Sequence, residues 1–179
     1  MMDPVALVVP LLLVHAALGG LDTVVSHEWR GRLPATPGTG PELRLHAMRS
    51  SLYALLFASV AAGDWRGAAA LWPLAVSGLE LAVTARDTVV ESRLRRILAF
   101  ERINHLLLLV NSGAYTLAIA LSVAQPGGFE PVAPGVARGL LWLAAAVAAA
   151  TALRETLAAR RRLREDAPYG AARPAGATR

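Results

Sequence analysis

The stretch LELAVTARDTVVESRLRRILAFERINH, residues 79–105, predicts two apolar helices joined by a short basic turn. Polar residues recur along the first helix at steps of four, three and four, which places them on one helical face. They are Glu80, Thr84, Asp87 and Glu91. After the turn, Glu101 and His105 stand four residues apart on the second helix. Because charged side chains inside an apolar helix are costly, the stretch predicts a functional polar site inside a membrane-embedded helical protein.

The composition indicates a membrane protein. Of the 179 residues, 55% are hydrophobic and the mean hydropathy is +0.45, which is too apolar for an ordinary soluble domain. The chain has no lysine, which excludes a Schiff base to retinal or pyridoxal phosphate, and no cysteine, which excludes thiolate metal ligands. The net charge of +5 comes from arginines near the ends of the apolar segments and in the C-terminal tail. Membrane topology explains these arginines, and no nucleic-acid partner is expected.

Five apolar segments are long enough to cross a bilayer. They are predicted at residues 3–29, 41–62, 68–91, 97–124 and 135–159. The first is expected to be a retained helix and not a signal peptide, because no positive charge precedes it and His15 and Asp22 interrupt it. The expected fold is therefore all-α, a polytopic transmembrane helical bundle with a single domain over residues 1–164. A disordered cytoplasmic tail is expected over residues 165–179.

The distribution of arginine predicts the orientation in the membrane. Basic residues concentrate in the loop after the first helix, in the turn at 93–96 and in the run at 160–164, whereas the opposite side carries Arg66 and Arg138. Positive charge marks the cytoplasmic side, so the N-terminus is expected outside and the C-terminus in the cytoplasm. The absence of lysine and the heavy use of alanine suggest a bacterial source. The expected location is the inner (plasma) membrane, with the lipid bilayer as surroundings.

Polar stripes follow four of the five predicted helices, and the fifth has none in its middle. Beyond those of residues 79–105, they are His15, Asp22 and Ser26 on the first helix and Glu42, His46, Arg49 and Tyr53 on the second. At a rise of about 1.5 Å per residue, most of these groups lie at similar depth near the cytoplasmic helix ends, and Glu80 lies deeper. The pattern predicts a four-helix bundle with a polar core and one peripheral, lipid-facing helix.

Carboxylates and imidazoles from several helices suit a divalent metal, with iron favoured over zinc or manganese. The candidate ligands are Asp22, His27, His46, Glu80, Asp87, Glu91, Glu101 and His105. Arg49 and Tyr53 would support them by orienting a carboxylate and supplying a phenolic hydrogen bond. His27 and Glu28 would cover the mouth of the site, where His27 serves as ligand or general base and Glu28 as a further catalytic group. The alternative for this pair is an interfacial cluster anchored by Trp29.

The donor chemistry resembles that of the ferritin-like di-iron carboxylate proteins, in which two helices supply a Glu and two supply Glu-x-x-His. Here the spacing is Glu42-x-x-x-His46 and Glu101-x-x-x-His105, one residue longer in each case. The resemblance is therefore one of chemistry, and the ligands of that family do not transfer residue by residue. It implies two irons and oxidation chemistry.

The function expected from these patterns is a metal-dependent oxidoreductase or hydroxylase that acts on a lipophilic substrate from the bilayer. One alternative is a zinc-dependent membrane hydrolase in which Glu101 moves the proton. Another is a non-enzymatic membrane subunit or small transporter whose acid and histidine stripe binds protons or a cation. A third is a purely structural set of ion pairs made by Arg49, Arg86 and Arg102. Whether the protein forms a homo-oligomer or joins a partner subunit is left open.

Overall fold

Five long helices make up the computed structural model, which describes residues 3–25, 35–94 and 99–171. They are α1 (Pro4–Asp22), α2 (Gly40–Ala62), α3 (Leu71–Leu94), α4 (Ala99–Ser122) and α5 (Val136–Ala171). All of them belong to segments long and apolar enough to cross a membrane. The predicted all-α bundle with five membrane spans is therefore confirmed.

Two helix ends lie more than three residues from their predicted positions. α5 continues beyond Ala159, because the Ala- and Arg-rich residues that follow favour a helix and Glu165 pairs with Arg161 and Arg162 one turn earlier. α1 ends at Asp22 and a π-helical turn over residues 23–25 follows it. The predicted site residues His27 and Glu28 lie outside the described residues. Of the predicted disordered tail at residues 165–179, residues 165–171 belong to α5, and the remainder from residue 172 onward also lies outside the described residues.

Two loops at one end of the bundle contain short β-strands that the sequence analysis did not predict. β1 (Gly63–Trp65) pairs antiparallel with β2 (Phe129–Pro131). The strands approach so closely that a Cβ at Gly63 would collide with the carbonyl oxygen of Glu130, so only glycine fits. Strands of this length leave no alternating pattern in a sequence, which is why they were missed. We call this end of the bundle the ribbon end.

Two arginine ion pairs connect the first turns of α1 and α5 to the loop at the ribbon end. The Asp3 carboxylate caps α1 by accepting a hydrogen bond from the amide of Val5, and it also pairs with Arg66 at 2.6 Å. The Arg66 guanidinium holds the pKa of the Asp3 carboxyl below its ordinary value. Arg138 at the start of α5 pairs with Asp64 in β1. The first turns of α1 and α5 are thereby fixed to the loop between α2 and α3.

The helix at the centre of the packing is α2, which lies mainly against α5 and α3, while α1 lies mainly against α4. Towards the ribbon end the core is apolar, with residues such as Leu12, Leu56, Val60, Ile119 and Leu141. α5 has the smallest buried share of the spans, 17%, and its buried face is rich in alanine. Small side chains let α5 approach α2 closely. Because most of its surface is not buried, α5 forms the flank of the bundle.

Candidate functional site

The buried residues change from apolar to polar towards the end of the bundle opposite the ribbon. Acidic and histidine residues exposed by no more than 4% there and in the middle of the bundle are His15, Asp22, Glu42, His46, Glu80, Asp87, Glu91, Glu101 and Glu155. The side chain of His105 is 24% exposed. Predicted site residues from α1, α2, α3 and α4 therefore lie in the same part of the bundle, and Glu155 of α5 lies there with them.

His105 of α4 lies between two carboxylates that come from two other helices. Its Nε2 is 3.2 Å from Oδ2 of Asp22 on α1, and its Nδ1 is 3.6 Å from Oε2 of Glu91 on α3. Glu101 stands one turn earlier on α4. Among the described residues, Glu91, Glu101 and His105 each offer a ligand atom within 4.8 Å of the others. We call these four residues the His105 cluster.

The His105 cluster contains groups that could hold a divalent metal ion. Metal bonds to imidazole nitrogen and carboxylate oxygen are about 2.0–2.2 Å long, so donor atoms up to about 4 Å apart share one ion. The observed separation therefore needs only small side-chain movements. Metal-ligating histidines usually turn their other nitrogen to a carboxylate, which orients the ring, and Asp22 has that position. Metal ligation by each of these residues stays a prediction. The Asp22 carboxylate contacts Nε2 of His105, whereas Glu91 faces Nδ1 on the other side of the ring.

Asp22→Asn tests this orienting role. We expect the affinity for a divalent metal to fall about 10- to 100-fold, because the imidazole loses the carboxylate that fixes its direction and basicity. Chelator competition on the purified protein measures the affinity. Glu130→Gln, on the exposed strand β2, is the control and should leave the affinity unchanged. An unchanged affinity in Asp22→Asn would show that Asp22 does not act through the metal.

His46 of α2 has a similar environment. Its Nε2 is 3.0 Å from Oδ2 of Asp87 on α3, and its Nδ1 is 3.9 Å from Oε1 of Glu155 on α5. Arg49 donates a hydrogen bond to the same Asp87 oxygen at 3.1 Å, and the Ser50 hydroxyl donates to Glu155 at 3.0 Å. The ion pair between Arg49 and Asp87 is one of those predicted if the polar residues form only a structural set of ion pairs. These five residues form the His46 cluster.

Glu155 is a site residue that the sequence analysis missed. It is 4% exposed and belongs to an alanine- and leucine-rich helix in which no polar stripe was found. A search for polar residues in phase along a helix does not detect a single acid. Glu155 is nevertheless the only acid in the predicted span at 135–159. A lone acid in an apolar span is costly, and that signal alone could have marked it.

Glu80 lies deeper in the bundle, surrounded by hydroxyl groups. Its Oε1 accepts hydrogen bonds from the Tyr53 and Thr84 hydroxyls, both at 2.6 Å. Its Oε2 is 3.2 Å from the Tyr115 hydroxyl and 3.3 Å from the Ser112 hydroxyl. Short hydrogen bonds of this kind stabilise a carboxylate anion. Glu80 and Tyr53, predicted as ligand and supporting group, thus belong to a separate cluster, and their predicted roles remain untested.

A cavity of about 1050 Å³ connects these groups. Its polar lining includes His15, Arg49, Glu80, Asp87, Glu91 and His105. Its walls are otherwise mostly apolar, with contributions such as Leu106 and Val147, and Gly19 and Gly20 line it from α1. The space beside both glycines is open, because an added Cβ would meet nothing within 4 Å. The cavity is large enough for a lipid-sized molecule, which would contact the His105 cluster through Glu91 and His105.

Fold and site together indicate a polytopic helical membrane protein in which several of the buried carboxylates and histidines line one wide cavity. No family model matches the chain, and no curated protein or solved structure matches it significantly. Its function must therefore follow from the chemistry of the site.

Proposed function

We propose that the protein is a metal-dependent membrane enzyme, with iron as the favoured metal, that oxidises a lipophilic substrate bound in the cavity. The observation that supports this most directly is the approach of Glu91, Glu101 and His105 within 4.8 Å of one another beside that cavity. Carboxylate oxygen and imidazole nitrogen together suit iron, manganese or zinc. Mostly apolar walls favour a substrate that enters from the bilayer.

We assign a different role in the proposed reaction to each group of side chains, according to its position. Glu91, Glu101 and His105 would hold the ion, and Asp22 would orient the His105 ring. Bound iron would supply the redox chemistry that the side chains of this chain lack. Asp87 lines the cavity and contacts Nε2 of His46, so this pair is placed to hold a proton at the cavity wall. The proposed orientation puts the site near the cytoplasmic leaflet.

A hydroxylation at this site requires two further reactants. One atom of O₂ enters a C–H bond of the substrate, and the other atom leaves as water. Two electrons and two protons complete the balance, and an external electron-carrier protein has to supply the electrons. The clusters lie at the end of the bundle where α2 and α4 begin, so a carrier on that side of the membrane would be closest to them.

The apolar core favours an enzyme over the transporter alternative. Between the cavity and the ribbon end, the bundle interior is formed by residues such as Val8, Leu56, Val60 and Ile119. A proton or cation pathway would need polar groups across the whole span. The zinc hydrolase alternative shares the same site, and the identity of the bound metal would distinguish the two enzymes.

The proposal is tested by comparing lipid extracts of the native host with and without the gene, by mass spectrometry. We expect a lipid species that gains an oxygen atom or loses two hydrogens only when the gene is present. Complementation with wild type or Glu130→Gln should restore it, whereas Glu101→Gln should not. Identical extracts from all strains, together with purified protein that contains no metal, would refute the enzyme. Stoichiometric zinc without lipid oxidation would favour the hydrolase.

Gly20→Leu tests whether the cavity holds the substrate. The new side chain would extend into open space, so we expect product formation to fall about 100-fold while the metal content stays unchanged. Gly113→Leu on α4 is the matched control, because a Cβ there also meets nothing within 4 Å and the residue is exposed on the outside of the bundle. Normal product formation by a folded Gly20→Leu protein would place the substrate elsewhere.

A further inference from the structure

His15 of α1 is a buried histidine whose ring nitrogens have different surroundings. The residue is 2% exposed and lines the cavity. Its Nδ1 is 3.3 Å from the side-chain nitrogen of Asn111 on α4, whereas its Nε2 has no hydrogen-bond partner among the described residues. The ring lies beside those of Tyr53 and Tyr115, at centroid distances of 4.7 and 5.3 Å.

Asn111 determines which nitrogen of His15 carries the proton. The side-chain nitrogen of Asn111 is also 3.0 Å from the carbonyl oxygen of Leu11. A carbonyl oxygen can only accept, so this nitrogen is the NH₂ group, and it donates to Nδ1 of His15 as well. Nδ1 is therefore an acceptor without a proton. In the neutral ring, the proton is then on Nε2.

The Nε2–H group of His15 is thus a buried donor that needs an acceptor. Leaving such a donor without a partner destabilises a protein, and native structures rarely do so. The neighbouring Tyr53 and Tyr115 hydroxyls both donate to Glu80. Each hydroxyl keeps lone pairs that can accept, but neither makes a hydrogen bond with Nε2, which has no partner among the described residues. A further acceptor would therefore come from the cavity that His15 lines, after a small movement of the side chains around the buried Nε2 atom.

We propose that the Nε2–H group of His15 binds a neutral, hydrogen-bond-accepting oxygen of the lipophilic substrate, such as that of a ketone, ester or alcohol. This inference rests on the proposed function, because it takes the cavity to be the binding site of the enzyme's substrate. The Glu80 carboxylate, which both neighbouring tyrosines contact, disfavours a second anion at this position, so a free fatty carboxylate should bind less well than a neutral oxygen. The apolar walls would hold the hydrocarbon chain.

The test compares two probes of equal chain length, a long-chain methyl ketone and the corresponding n-alkane, bound to the full protein in lipid nanodiscs. After correction for partition into empty nanodiscs, wild type should retain the ketone about 10-fold better than the alkane. His15→Leu should reduce this ratio to about one, and His15→Gln, which keeps a donor, should retain the preference. Thr116→Val is the matched control, because it removes a buried hydroxyl that has no partner among the described residues and does not line the cavity.

Two outcomes would overturn the proposal: equal retention of both probes by wild type, or a ketone preference that survives His15→Leu. A third probe, the fatty carboxylate of the same length, should bind less well than the ketone, and tighter binding would contradict the argument from Glu80. Metal is measured in the same samples. Absence of metal with a retained ketone preference counts against the proposed enzyme alone, whereas bound metal with no preference counts against the role of His15 alone.

Discussion

Replacing His105 with alanine is expected to weaken the binding of a divalent metal by about 100-fold or more. The change removes the nitrogen that faces Glu91 and also leaves Asp22 without the ring that it contacts. Losing an orienting partner alone typically costs 10- to 100-fold in metal affinity, and the loss of a ligand should cost at least as much. Elemental analysis of gently purified protein measures the metal per chain. His15→Gln is the matched control and should keep its metal.

Metal binding by wild type should also weaken as the pH falls. The imidazole and carboxylates must be free of protons to bind the ion, so protons compete with it. Two results would redirect the interpretation of the His105 variant. If His105→Ala keeps its metal while His46→Ala loses it, the His46 cluster is the metal site. If wild type carries no metal at all, the structural ion-pair alternative, already represented by Arg49 and Asp87, explains the clusters better.

Replacing Glu80 with leucine is expected to cause the largest loss of stability, because several buried hydroxyls would lose their acceptor. The two short hydrogen bonds from Tyr53 and Thr84 alone should cost about 3–6 kcal/mol in the free energy of unfolding, since a hydrogen bond to a charged group contributes about 1.5–3 kcal/mol. Glu80→Gln keeps one acceptor oxygen and should lose less. Thermal unfolding in detergent, followed by circular dichroism, gives the order of the variants.

The hydrogen-bond lengths around Glu80 add an internal comparison. Tyr53→Phe removes a contact of 2.6 Å and should destabilise the protein more than Tyr115→Phe, which removes one of 3.2 Å. Glu130→Gln on the exposed strand β2 should change the stability little. A Glu80→Leu protein as stable as wild type would mean that the hydroxyls find other acceptors in the bundle.

The polar face of α3 could be predicted because helical periodicity depends on sequence alone. The partners of each acid could not be predicted in the same way. Asp87 contacts His46 and Arg49 on α2, whereas Glu91, one turn later, faces His105 on α4. Which neighbour a side chain meets depends on how helices cross, and crossing depends on the packing of residues distant in sequence. The sequence analysis therefore expected one shared pocket where the structure has distinct clusters along a cavity.

Glu155 and the β-ribbon were missed for a related reason, since both acquire their role only from tertiary contacts. The place of Glu155 depends on the close packing of the alanine-rich face of α5 on α2. β1 and β2 belong to loops separated by the whole of α3 and α4. Only the assembled bundle brings such segments side by side.

The β-ribbon joins the α2–α3 loop to the α4–α5 loop, so two helical hairpins are stapled to each other at one end of the molecule. Because the ribbon holds the hairpins together at that end, a separation of α3 from α4, which contact each other far less than α2 and α5 do, would be widest at the far end, where the carboxylates and histidines lie. A bulky hydrocarbon chain would then be admitted between α3 and α4 without disturbing the apolar packing beside the ribbon.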